Sequence, residues 1–140
     1  MRSLILIAAL ALSGCASTYQ LTVMPRDSGR LYTGVAEDAG NGEGRISITI
    51  EDRTYTGSWI ETQPTTTTGF VTGFGFHRGG MGSFITMDNP QGGESKALLT
   101  APDGSGLRCD FKSGQGRGGG VCHDDKGRAY DVQVRRAERK

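Results

Sequence analysis

Two histidines, His77 and His123, and three cysteines, Cys15, Cys109 and Cys122, are the scarce chemistry-bearing residues of this chain. Nucleophilic catalysis needs a serine or cysteine, a histidine base and an orienting carboxylate within reach. No serine stands in a Gly-x-Ser-x-Gly elbow, and Gly104-Ser105-Gly106 lacks that motif's flanks. Cys122, His123 and Asp124 are of metal-ligating type, but adjacent residues of a strand point to opposite faces and do not readily share an ion. Asp124 and Asp125 could serve glycoside chemistry, yet they precede Lys126-Gly127 as turn residues do. The run Gly114-Gln115-Gly116-Arg117-Gly118-Gly119-Gly120 has the glycine density of a phosphate-cradling loop. Such a loop needs a helix after it and a Lys-Ser/Thr, and neither follows. It reads as a flexible hairpin tip, with Arg117 as a candidate anion or glycan contact. Tyr55 and Trp59 share one strand face. Exposed, they would stack on a sugar or a partner; buried, they belong to the core. No catalytic, metal or cofactor constellation emerges, and the expectation is binding without catalysis.

The elements that carry these residues are β. Ile46, Ile48 and Ile50 alternate with Ser47, Thr49 and Glu51, as do Leu107, Cys109 and Phe111 with Arg108, Asp110 and Lys112. Tyr130, Val132 and Val134 alternate with polar residues in the same way. Period-two alternation marks half-buried strands. Further strands are predicted over 20–24, 31–36, 54–61, 70–77, 82–87 and 95–101, with Gly, Pro, Asn and Asp clusters between them. Glycine is the compositional outlier, at 23 residues, and glycines interrupt nearly every window that could be helical. The strand at 70–77 sets Phe70, Thr72, Phe74 and Phe76 against Val71, Gly73, Gly75 and His77. Its glycine face predicts a bend, or a groove admitting an apolar ligand. Thr65 to Thr68 read as a polar loop after Pro64.

The N-terminus gives an address. Arg2 precedes an apolar run, Leu4 to Leu12, which ends on Leu12-Ser13-Gly14-Cys15. A basic start, a short apolar run and small residues before a cut are the layout of a secretory signal, and the run is shorter than the roughly 20 residues that cross a bilayer. The ending resembles the lipobox of bacterial lipoproteins. That resemblance implies cleavage before Cys15, acylation of its thiol and amino group, and membrane anchoring through the acyl chains. Ala16 in place of aspartate favours the outer membrane of a Gram-negative envelope over the inner one, with the protein facing the periplasm. If Cys15 carries lipid, Cys109 and Cys122 remain as an even pair in an oxidising compartment, which predicts a disulfide. Loss of Arg2 with the leader removes one of 16 basic residues and leaves them balanced against 15 acidic ones. That balance argues against nucleic acid as a partner and against a polybasic grip on lipid.

A short phrase recurs as Gly29-Arg30-Leu31-Tyr32, Asp52-Arg53-Thr54-Tyr55 and Gly127-Arg128-Ala129-Tyr130. Each is a turn residue, an arginine, a spacer and a tyrosine, which describes a turn delivering an aromatic to the next strand. Thr-Gly follows twice, at Thr33-Gly34 and Thr56-Gly57. Tyr55-Thr56-Gly57-Ser58-Trp59 resembles the opening of the MORN repeat, a β-hairpin unit, and Tyr32-Thr33-Gly34 matches less fully because Ala36 stands at the tryptophan position. Gly114, Gly118, Gly120 and Gly127 fall on the pattern's glycines, while Leu107 and Cys109 depart from it and residues 60–106 do not follow it. The resemblance implies a curled antiparallel sheet and contacts with proteins or lipid.

These readings predict a mostly-β chain: a single small domain of antiparallel hairpins, as a meander, curled sheet, small barrel or sandwich, after an N-terminal signal helix. The expected divisions are a signal at 1–14, a lipidated tether at 15–19, the β domain at 20–135 and a frayed charged tail at 136–140. The expected function is a lipid-anchored, non-catalytic binding or structural module of the envelope that meets the membrane and another envelope protein. A small-ligand or lipid carrier is the alternative, and an envelope-polymer hydrolase the more distant one. Tyr55, Trp59 and Arg117 are the candidate binding residues.

Overall fold

Alternating side chains and frequent turns build ten antiparallel strands, described in a computed structural model for residues 16–73, 81–89 and 92–138. They are β1 (Ser17–Pro25), β2 (Tyr32–Asp38), β3 (Glu43–Ile50), β4 (Arg53–Gln63), β5 (Thr66–Gly73), β6 (Met81–Asp88), β7 (Gly93–Thr100), β8 (Gly106–Gly114), β9 (Arg117–Asp124) and β10 (Ala129–Arg136). Eight of them close into a barrel in the order β1-β10-β9-β8-β7-β4-β3-β2, with β2 returning to β1. This is an up-and-down meander interrupted once, where β5 and β6 form a separate two-stranded hairpin between β4 and β7. The small-barrel form of the predicted meander is the one observed. The predicted signal helix and Cys15 lie outside the described residues.

Closure solves the edge problem, because every barrel strand is paired on both sides. The seam joins the first strand to the last, from Tyr19 opposite Arg136 to Pro25 opposite Tyr130. The barrel begins earlier than residue 20, at Ser17, and takes Tyr19 into its wall. Arg136 and Ala137 are pinned rather than frayed: their amides donate to the carbonyls of Gly116 and Thr18 at 3.0 and 2.8 Å.

The alternation sorts the wall. Leu21, Val23, Ile46, Ile48, Ile50, Leu99, Leu107 and Val132 point inward and are buried. Arg108, Asp110 and Lys112 on β8, Lys96 on β7 and Asp131 and Arg135 on β10 point outward and are exposed. This polarity is the reverse of a bilayer-spanning barrel, whose outer wall carries an apolar band. Cys109 and Cys122 are directly opposite on β8 and β9, and their disulfide lies in the inner layer with both residues buried.

Two loop assignments are corrected. Residues 114–120 are not a flexible tip, since β9 starts at Arg117 and pairs with both β8 and β10. Only Gln115-Gly116 forms the turn, both with positive φ, 55° and 75°, as a two-residue type I′ hairpin requires. Glycine is needed in the strand itself: a Cβ on Gly120 would stand 2.1 Å from the Asp110 carbonyl oxygen and 2.7 Å from the Phe111 ring. The polar loop after Pro64 is likewise shorter than expected, because Thr66 already opens β5.

Candidate functional site

The two ends of the barrel differ. At one end Tyr32, Tyr55 and Tyr130 of the recurring phrase pack into the interior, and Arg53 and Arg128 close over the last two. Tyr55 and Tyr130 are each 3% exposed, so they are core. The Arg128 guanidinium lies 5.4 Å from the centroid of the Tyr130 ring, within cation–π range. It also donates to both carboxylate oxygens of Asp27, at 2.9–3.1 Å. Arg53 pairs with Asp103 at 3.0 Å and reaches the Tyr55 hydroxyl at 3.4 Å. The Tyr130 hydroxyl donates to Asp124 Oδ2 at 3.0 Å, while Asp124 Oδ1 accepts the amides of Lys126 and Arg128. Burial, aided by that carboxylate, pushes the Tyr130 phenol up to about 12. Asp124 is therefore a turn residue, and so is Asp125, which accepts the Gly106 amide at 2.6 Å.

The other end is open. There β1 starts, β2 ends, β3 starts, β4 ends, and so on round to the end of β10. The mouth encloses about 340 Å³, within the range of small-molecule sites. Leu21, Ile46, Phe111 and Val134 form an apolar floor, and Tyr19 and Trp59 stand above them. Ala36, opposite both Tyr19 and Ile46, leaves room because it is small. The β9 wall contributes no side chain above Cys122, because the inward positions are Gly120 and Gly118. Trp59 is oriented by a hydrogen bond from its indole nitrogen to the Glu37 carbonyl at 3.0 Å. Gly44, paired with Trp59, makes this fit: a Cβ there would stand 2.8 Å from the indole nitrogen.

Charge is divided around the rim. Asp38, Glu61 and Asp88 lie on the side formed by β2, β4 and the root of the hairpin. Asp38 accepts the Gly40 amide at 2.7 Å and Glu61 the Thr65 amide at 3.1 Å, so both stabilise turns. Lys112 and Arg117 stand at the outer edge of the opposite side, on β8 and β9, with their side chains in outward phase. Lys112 reaches Glu94 at 3.4 Å. Arg117 has no hydrogen bond or ion pair among the described residues and stands directly opposite Arg135.

Of the three candidate binding residues, the fold brings Trp59 and Arg117 together at the mouth and sends Tyr55 to the closed end. Cys122 points inward while His123 is exposed on the outer face, and no group of three metal-ligating side chains forms among the described residues. The groove predicted over Gly73 and Gly75 is not the mouth just described: β5 ends at Gly73 outside the barrel, and Phe74, Gly75, Phe76 and His77 lie outside the described residues. Sequence reasoning missed Tyr19, Leu21, Ala36 and Val134 as site residues. Their only signal was inward phase on a strand, which core residues share. No family model, curated protein or solved structure matches this chain.

Proposed function

We propose that this protein is a non-catalytic binding module of the bacterial envelope, held to the membrane by acyl chains on Cys15, which takes a small apolar ligand into the mouth of its barrel. The observation that carries the reading is the open end itself: an apolar floor under Tyr19 and Trp59, in a barrel whose other end is filled by Tyr55 and Tyr130. A packed barrel of this size has its interior filled by side chains, so a mouth left unfilled at one end points to a ligand. Two of the three rim carboxylates, Asp38 and Glu61, are committed to turns, and the one described histidine faces outward, which supports binding over hydrolysis. The address rests on the lipobox resemblance at Leu12-Ser13-Gly14-Cys15.

Trp59 is the only tryptophan in the chain, so its emission reports on the mouth without labelling. Titration with a soluble alkyl chain such as decanoate shifts that emission saturably, with one site per protein. Ala36→Phe fills the mouth and weakens binding about tenfold or more, since filling the pocket forfeits the ligand's buried area. An emission that never saturates, or that is indifferent to Ala36→Phe, would remove the carrier reading. The anchor has its own check. Cys15→Ser abolishes incorporation of labelled palmitate in cells, and persistent incorporation would defeat the lipobox argument.

A further inference from the structure

We propose that the barrel mouth faces the bilayer holding the Cys15 anchor and draws one hydrocarbon chain of an anionic lipid directly from it. This rests on the binding reading above and adds the orientation, the source and the chemical class of the ligand.

The orientation follows from where the chain enters the barrel. Ser17, the first residue of β1, is at the open end, held there by Arg136 through its hydroxyl at 3.2 Å. Thr18 is held by the Ala137 amide at 2.8 Å. Two chain steps separate Cys15 from Ser17. An extended chain covers at most about 3.6 Å per residue, so roughly 7 Å of backbone separates an acylated Cys15 from the rim. A tether that short cannot carry the barrel round to present its closed end. The rim is therefore held at headgroup depth.

The lip suits that depth. Tyr19 and Trp59 are aromatic with a polar handle, the side chains that settle where hydrocarbon meets water. Below them the floor is apolar and accepts a chain. The head is placed by charge. Asp38, Glu61 and Asp88 repel an anion from their side of the rim, while Lys112 and Arg117, which face outward at the outer edge of the β8–β9 side, attract it to theirs. Arg117 stands across from Arg135, an arrangement that costs stability when nothing negative lies between. An anionic headgroup at that lip relieves the repulsion and adds a charge-assisted hydrogen bond.

The test uses the mature acylated protein in vesicles of phosphatidylethanolamine and phosphatidylglycerol, with bromine atoms on the chains of the phosphatidylglycerol. Bromine quenches tryptophan at short range, and Trp59 is the sole emitter of its kind. The expected result is strong quenching that is lost in Ala36→Phe and in Val134→Phe, both of which still float with the vesicles. Two filling variants are used so that one folded variant suffices. Arg117→Glu raises the fraction of brominated phosphatidylglycerol needed for half-quenching about tenfold or more, because it replaces an attractive charge with a repulsive one near the membrane surface. It leaves quenching by brominated phosphatidylcholine unchanged. Protein that floats but is not quenched overturns this inference alone and leaves the anchor standing. Quenching that survives in both folded filling variants shows surface lipid only and also overturns it. Protein that carries no acyl group and does not float removes the anchor and this inference together, while the decanoate titration still judges the mouth by itself.

Discussion

Arg128 and Tyr130 show how a repeated phrase becomes a stopper. In two of its three copies the arginine meets the tyrosine two residues on: Arg53 at the Tyr55 hydroxyl, Arg128 over the Tyr130 ring. In the third, the side chain of Arg30 has no partner among the described residues and the buried Tyr32 hydroxyl makes no hydrogen bond. The copies therefore differ energetically. Tyr130→Phe costs about 1–2 kcal/mol, because a hydrogen bond to a carboxylate is lost and Asp124 is left short of a donor. Tyr32→Phe is neutral or slightly stabilising, because it removes a hydroxyl whose desolvation nothing offsets. Urea unfolding of the two variants at neutral pH decides this, and equal costs would contradict it. The same tyrosine sets an alkaline limit. The folded phenol titrates near 12 against about 10 in the unfolded chain, so its contribution is full below pH 10 and is lost as pH rises toward 12. Tyr130→Phe flattens that alkaline slope. On the acid side, the hydrogen bonds from Arg128 lower the Asp27 carboxyl. That contribution is present above the ordinary carboxylate pKa near 4 and disappears as pH falls through the lowered one. Asp27→Asn makes unfolding less dependent on pH below about 4, measured by thermal melts.

At the scale of the strand, β9 is the informative element. Its inward positions, Gly118 and Gly120, admit the Lys112 and Asp110 carbonyls of β8 so closely that any side chain collides. Gly120→Ala is expected to cost about 1–3 kcal/mol, as overpacking of a core does. A variant as stable as the parent in urea would show that β9 can move. The Cys109–Cys122 bond ties β9 to β8 at the same layer. Replacing both cysteines with alanine is expected to lower stability by about 3 kcal/mol, and Tm by about 10 °C. Matching Tm values for the reduced and oxidised parent would refute it. Strands with contrasting faces were legible from residues alone: Ile46, Ile48 and Ile50, and Leu107, Cys109 and Phe111, all point inward as their alternation predicts. β9 was not legible, because a glycine run has no side chains to alternate and reads as a loop. The mouth was not legible either. Leu21, Ala36, Ile46, Phe111 and Val134 come from five strands far apart in sequence, and their apolar types are those of any core. Only closure of the barrel shows that they stop short of filling it. Trp59 and Arg117 were found because a lone tryptophan and an arginine among glycines are unusual; Tyr55 has the right type and phase but sits one end too low.

At the scale of the molecule, the barrel and the β5–β6 hairpin are separable. β4 pairs with β7 from Thr56 opposite Thr100 to Gln63 opposite Glu94, so the barrel wall is complete without the hairpin. Joining Gln63 to Glu94 through Asn-Gly, a sequence suited to a two-residue turn, is expected to leave a folded, cooperatively melting barrel. Loss of the melting transition would show that the hairpin is part of the structural unit. Decanoate binding by the shortened protein then measures what Thr65, Thr66 and Asp88 contribute at the rim.

The seam between β1 and β10 orders events in time. A chain emerging N-terminus first presents one half of its final pairing at the outset and must wait for the other until synthesis is complete. Until then the β1 edge and the newest strand stand bare, two templates for pairing with a neighbouring chain. A protein stalled anywhere before Ala129 cannot shut, however good its remaining hairpins. Loss of the last strand therefore produces an aggregation hazard as the chain is made, where a truncated turn elsewhere would only trim a loop.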